Sequence, residues 1–191
     1  MEIPGYGLIE SLWDLRPGIR EYTGNLVFEG KRVLEVGTAS GFVCFFMEKE
    51  GANVVAFDLS DTFSWDILPI AGLDHDELIS DRRIAIRKLN NGYWLAHRAF
   101  HSRAKVVYGT TYDIPEAIGP VDISTFCAVL LHLRDPFLAL YNGARLTRET
   151  ILVTEPVPPH ADTDSRFMEF IPQTELHDSW WFLTPTVVKS F

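Results

Sequence analysis

Residues 31–59 read Lys31-Arg32-Val33-Leu34-Glu35-Val36-Gly37-Thr38-Ala39-Ser40-Gly41, then FVCFFMEKEGA over 42–52, then Asn53-Val54-Val55-Ala56-Phe57-Asp58-Leu59. The first apolar run ends on Gly37, as a buried strand does when it feeds a tight turn. Residues 41–49 then carry Phe42, Phe45 and Phe46 at helical spacing, and Gly51 supplies a C-terminal stop. A second apolar run follows, with an acid, Asp58, near its end. Strand, helix and strand in so short a stretch make a βαβ unit. Its right-handed crossover builds a parallel sheet.

The same alternation continues down the chain. AKVVY over 104–108, VDISTFCAVLL over 121–131 and TILVT over 150–154 read as three more strands. Asp135-Pro136 opens a helix over 137–146, with Asp as N-cap and Pro at the first helical position. The expected fold is α/β, a Rossmann-like and mostly parallel sheet within one domain over 1–191. Forty-four residues, 60–103, separate the second and third strands, so a helical insert or lid is expected there. Within it 61–81 reads as irregular and 82–101 as helical, with Asn91-Gly92 as a break or kink. A short helix fits 10–15, a loop fits 160–179, and Thr184-Pro185 opens a last helix over 186–191.

The chain carries 17 basic and 26 acidic residues, a net charge of −9, which weighs against polyanionic partners on average. Cys44 and Cys127 both sit in apolar runs and read as core thiols, and no Cys/His cluster points to a metal. The opening MEIPGYGLIE lacks the basic and apolar regions of a secretory signal, and no apolar run approaches a membrane span. A cytoplasmic setting without membrane contact is the expectation.

Ligands of open α/β sheets bind outside the carboxyl ends of the strands. Glu35, Gly37, Thr38, Ala39 and Gly41 lie at one such end. Asp58 lies at the next, placed to accept both hydroxyls of a ribose. A dinucleotide fingerprint would require glycines at 37, 39 and 42; the residues found are Gly37, Ala39 and Phe42. An NAD-dependent oxidoreductase is therefore the weaker alternative.

VLEVGTASGF followed by VVAFDLS resembles motifs I and II of the class I S-adenosylmethionine-dependent methyltransferases. The resemblance implies S-adenosylmethionine as cofactor, with Glu35, Gly37 and Gly41 bordering its methionine end and Asp58 holding its ribose. Tyr108-Gly109-Thr110-Thr111-Tyr112-Asp113-Ile114-Pro115 resembles the family's adenine loop, which makes Thr110 and Thr111 cofactor residues. Thr110 stands where the family commonly has an acid. Leu131-His132-Leu133-Arg134-Asp135-Pro136 resembles the segment after the fourth strand. The family usually closes with a further helix and an antiparallel strand pair. Five strands are legible here, so the final pair is expected to be missing. Either the chain is a piece of a longer protein or another subunit, as in a homo-oligomer, covers the open edge.

His132 is the candidate catalytic base, with packing at the strand-to-helix junction as the alternative. Trp94, His97, Glu155 and Trp181 are candidate acceptor residues. Residues 82–105 hold Arg82, Arg83, Arg87, Lys88, Arg98, Arg103 and Lys105 and no acid. Interleaved with Tyr93, Trp94 and His97, these cations suit a nucleic-acid surface. They suit equally an amphipathic helix packing its rings on the sheet. The segments 129–136 and 179–186 also loosely resemble enzymes that complete a modified wobble uridine in transfer RNA with a carboxylated form of the cofactor. The methyl acceptor is thus expected to be a small molecule or transfer RNA. A cofactor-binding domain without methyl transfer is the other reading.

Overall fold

The computed structural model describes residues 1–10, 14–162, 164–171 and 178–191. Its centre is a five-stranded parallel sheet built from β3 (Arg32–Val36), β4 (Asn53–Asp58), β5 (Lys105–Tyr108), β6 (Val121–Cys127) and β7 (Thr147–Thr154), in the order β5-β4-β3-β6-β7. The chain steps outward from β3 to β5 and then returns to lay β6 on the other side of β3. That reversal opens a crevice between the ends of β3 and β6. A small hairpin precedes the sheet, β1 (Glu2–Ile3) with β2 (Gly7–Leu8).

Both sheet faces are buried, as parallel strands require. Val33, Val54, Ala56 and Ile123 face a core shared with Val43, Cys44 and Met47 of α2 (Phe42–Lys49) and with Tyr93 and Ala96 of α3 (His75–Ala99). Leu34, Val36, Val55, Phe57 and Phe126 face the opposite core, with Ala139 and Leu140 of α4 (Pro136–Ala144). Alternate residues of β3 and β4 therefore enter different cores, the period-2 signature of a strand.

The insert departs from its sequence expectation. One uninterrupted helix runs His75–Ala99, so the acidic cluster read as irregular is a helix start. The Asp74 side chain accepts a hydrogen bond from the Glu77 amide, and Asp76 and Glu77 complement the positive end of the helix. Asn91-Gly92 does not break it. A mid-helix glycine costs about 1 kcal/mol, which burial of Ile86, Tyr93 and Ala96 offsets.

Two more expectations change. Residues 160–179 are not all loop, because β8 (Met168–Phe170) pairs antiparallel with β9 (Trp181–Leu183). The helix expected over 10–15 falls partly on residues outside those described, while a one-turn α1 forms at Ile19–Tyr22. The last helix, α5, covers Pro185–Ser190. In the main sheet β7 pairs with β6 alone among the described residues, so the parallel sheet ends there. No helix among them is long and apolar enough to cross a membrane.

Gly143 in α4 lies against the ring of fully buried Phe126. A Cβ at Gly143 would stand 2.7 Å from that ring. Helix propensity alone would make Gly143→Ala stabilising by about 1 kcal/mol. Overpacking in a closed core costs about 1–3 kcal/mol. The expected outcome is a net loss, read as a Tm lowered by about 2–4 °C per kcal/mol for a chain of this size. A raised Tm would show that Phe126 has room to move.

Candidate active site

The turn after β3 is built on backbone conformations that side chains resist. Gly37 has φ +80° and donates its N–H to the Phe57 carbonyl at 2.8 Å. A Cβ at Gly37 would stand 2.3 Å from Val129 Cγ2, so the residue is glycine on both counts. Ala39 also adopts the left-handed region, φ +48°, and donates its N–H to Asp58 Oδ2 at 2.6 Å. Asp58 Oδ1 accepts from the Leu59 amide at 2.7 Å. Gly41, φ +87°, opens α2; a Cβ there would strike Phe45 and Tyr93. Its small size serves packing against the insert helix.

Above these strand ends lies a cavity of about 250 Å³. It brings together Gly37, Ala39, Asp58, Thr110, Thr111 and His132 of the residues singled out from the sequence. Glu35, Thr38 and Gly41 are not on its wall. Glu35 and Thr38 are buried, and neither Glu35 Oε2 nor Thr38 Oγ1 makes a hydrogen bond of good geometry. Burial pushes the Glu35 carboxyl up to about 7, partly offset by the nearby Thr38 hydroxyl. Burial also raises Asp58, against the pull of its two amide donors.

The candidate acceptor residues lie elsewhere. Trp94 donates its ring N–H to the Tyr108 hydroxyl at 2.9 Å, and His97 Nε2 meets the Ala104 carbonyl at 3.1 Å. Both pack against Tyr93, and His97 also against Phe45, so the rings of α3 serve the packing reading of that helix. Trp181 donates to the Arg134 carbonyl at 3.3 Å, while its neighbour Trp180 is buried and donates to the Asp66 carbonyl at 2.9 Å. Glu155 is fully engaged with backbone. Its oxygens accept from the amides of Val129 and Leu130, at 2.7 and 2.6 Å, and of Leu131 at 3.3 Å. Burial raises Glu155 to about 7 despite these donors. It ties the loop carrying Val129 and His132 to the end of β7.

Trp65, Asp66, Tyr112 and Asp178 line the cavity and were not singled out by sequence. Only Tyr112 stood in a recognisable motif. Asp66 Oδ2 accepts from the Tyr112 hydroxyl and, at 2.8 Å, from the Arg134 amide. With Trp180 on its carbonyl, Asp66 joins four segments around the cavity. The Arg82 guanidinium pairs with Asp178 at 3.1 Å and lies over the Trp65 ring at 5.7 Å. Arg87 is likewise paired, with Asp61 at 2.6 Å.

His132 Nδ1 lies 2.7 Å from the Asp178 backbone carbonyl oxygen. A carbonyl only accepts, so Nδ1 carries the proton and donates. The neutral ring then has its lone pair on Nε2.

No family model matches the chain, and no curated protein matches it. Solved structures do. The chain is similar to 1,6-didemethyltoxoflavin-N1-methyltransferase of Burkholderia thailandensis, solved with 1,6-didemethyltoxoflavin and S-adenosylhomocysteine bound, at 13% identity, over 93% of this chain and 67% of that one, with a TM-score of 0.55. It is similar to the [4+2]-cyclase SpnF at 17% identity, over 92% and 54%, with a TM-score of 0.54. It is also similar to a methyltransferase-assigned protein of Bacillus halodurans at 20% identity, over 76% and 54%, with a TM-score of 0.50. The chain thus spans about half the length of the last two, 54% of each. The fold is that of the class I S-adenosylmethionine-dependent methyltransferases.

Glu35 and Glu155 each sit near 7 in the folded chain, against 4.5 for an ordinary glutamate. The folded state keeps protons that the unfolded chain has released over that interval, so stability falls as pH rises from 4.5 to 7 and then levels. Denaturation midpoints are expected to be higher at pH 5 than at pH 8. The Glu35→Gln, Glu155→Gln double variant is expected to flatten that slope; an unaltered slope would place both carboxyls in better-solvated sites.

Proposed function

We propose that the chain binds S-adenosylmethionine across the ends of β3, β4 and β5 and directs its methyl group toward an acceptor beside His132. The observation that carries this reading is the convergence of Gly37, Ala39, Asp58, Thr110 and Thr111 on one cavity. Asp58 would take the ribose hydroxyls with lone pairs left free by Ala39 and Leu59. Thr110 and Thr111 would flank the adenine. Glu35 and Thr38 are buried and off the cavity wall, so Asp58 is the acid of this turn that would reach the cofactor. The residues present therefore fit the cofactor.

S-adenosylmethionine supplies an electrophilic methyl on a good leaving group. The chain then has little to add beyond positioning the nucleophile and excluding water, effects worth several kcal/mol. Trp65, Asp66 and Tyr112 form the cover that would do this. A second reading is ligand binding without methyl transfer. It is favoured by the cyclase SpnF, which shares the fold, since one fold hosts several chemistries.

Calorimetric titration with S-adenosylhomocysteine, with NAD run in parallel, tests the binding. Affinity for the former alone is expected. Asp58→Ala should weaken it by about 1–3 kcal/mol, roughly 5- to 150-fold. Unchanged affinity in that variant, or binding of NAD instead, would contradict the reading. Acceptor-dependent release of S-adenosylhomocysteine separates a methyltransferase from a binding domain.

A further inference from the structure

We propose that the chain has a second ligand site, a basic groove at the opposite end of the sheet from the cofactor cavity. Its ligand is a small polyphosphate carrying a flat ring, the chemistry of a nucleoside di- or triphosphate. This goes beyond the methyl-transfer reading and does not depend on it.

The groove measures about 790 Å³, within the roughly 300–1,000 Å³ of small-molecule sites. The strands run parallel, so Arg32, Asn53 and Lys105, the first residues of β3, β4 and β5, share one end of the sheet, while Asp58 lies at the other. The turns that close α2 and α3 form the rest of the wall, with Lys49 before Gly51 and Arg103 after His101.

Charge sets the ligand class. The wall carries Arg32, Lys49, Arg103 and Lys105 against one acid, Glu48. Glu48 is spent on the chain itself: Oε2 accepts from the Ser102 hydroxyl, and Oε1 from the Arg103 amide at 2.8 Å. Lys49, Arg103 and Lys105 are exposed, and none of them joins an ion pair among the described residues. The Arg32 guanidinium donates to the carbonyls of Ile118, Gly119 and Pro120, which hold it in place without cancelling its charge. Asp122, which takes the Arg32 amide, is off the wall. Neutralising the ends of α2 and α3 is a structural use for such cations, but each end carries only about half a negative charge. With Glu48 also counted, about two positive charges remain on this wall, in a chain whose net charge is −9. A concave wall of that sign draws in anions. Arg32 and Lys105 start strands two places apart in the sheet, about 10 Å at the usual strand spacing. One phosphate is too small to touch both, so the ligand carries two or more.

The apolar side sets the rest of the ligand. Phe100 rests on Phe45 with ring centres 5.2 Å apart, yet is still 37% exposed on the groove wall. A planar ring can stack there, as nucleobases do on exposed aromatics.

The test is calorimetric titration with guanosine triphosphate, guanosine and inorganic triphosphate. Salt is kept at about 0.15 M, where exposed charges are screened beyond roughly 8 Å. Guanosine triphosphate is expected to bind, inorganic triphosphate more weakly, and guanosine not measurably. The Lys49→Glu, Arg103→Glu, Lys105→Glu triple variant is expected to lose about 10²-fold or more in affinity for guanosine triphosphate. Phe100→Ala is expected to lose about 5- to 150-fold. The triple variant should keep the wild-type Tm, since its three side chains are exposed and unpaired. No binding of guanosine triphosphate by the wild type, equal affinity for guanosine or for inorganic triphosphate, or unchanged affinity in the triple variant would overturn the proposal. So would displacement of the nucleotide by S-adenosylhomocysteine, which would put it in the cofactor cavity, or binding of a single-stranded RNA oligomer in its place.

Discussion

The hydrogen bond from the Ala39 amide to Asp58 organises this end of the molecule. Ala39 occupies a left-handed conformation that costs an ordinary residue about 1–2 kcal/mol. The carboxylate offsets that cost through a short, charge-assisted bond of 2.6 Å. The same bond pins the turn after β3 to the tip of β4, and the Gly37 amide on the Phe57 carbonyl adds a second pin. Together they form the ledge on which a ribose would rest. A group at Asp58 that kept the shape but lost the charge would weaken the ledge before any ligand arrived.

Two further carboxylates extend this logic around the rim. Glu155, at the end of β7, gathers the amides of Val129, Leu130 and Leu131 and so presses Val129 onto Gly37. Asp66 gathers Tyr112, Arg134 and Trp180 and so closes the insert over the cavity. Loops that would otherwise move independently are tied by acids that each serve several donors. An acidic chain thus spends part of its charge on its own backbone, and the cavity inherits a negative wall.

The sheet was legible because buried parallel strands leave continuous apolar runs, and Gly37, Gly41 and Asp58 punctuate them at the ends. The start of α3 was missed because Asp74, Asp76 and Glu77 look like loop chemistry until one sees that caps and first turns favour the same residues. Gly92 misled for a related reason: local propensity yields to the burial of Tyr93 and Ala96. That Gly37, Ala39 and Asp58 share one cavity wall was readable from spacing, since strand ends place residues predictably. The rest of the wall was not. Trp65, Asp66 and Asp178 meet only through long-range contacts between segments with no periodic pattern, and Trp94, Trp181 and Glu155 were picked by residue type, which does not fix a place on this wall.

The negative wall of the cavity comes from Asp58, Asp66 and Asp178, and the tautomer of His132 from the Asp178 backbone carbonyl. The most direct test is a crystal structure of the chain grown with S-adenosylhomocysteine. The ribose hydroxyls are expected on Asp58, the adenine against Thr110 and Thr111, and the sulfur directed toward His132. A ligand seated away from the β3–β4 ledge, or with its sulfur turned from His132, would contradict the assignment of this cavity as a methyl-transfer site.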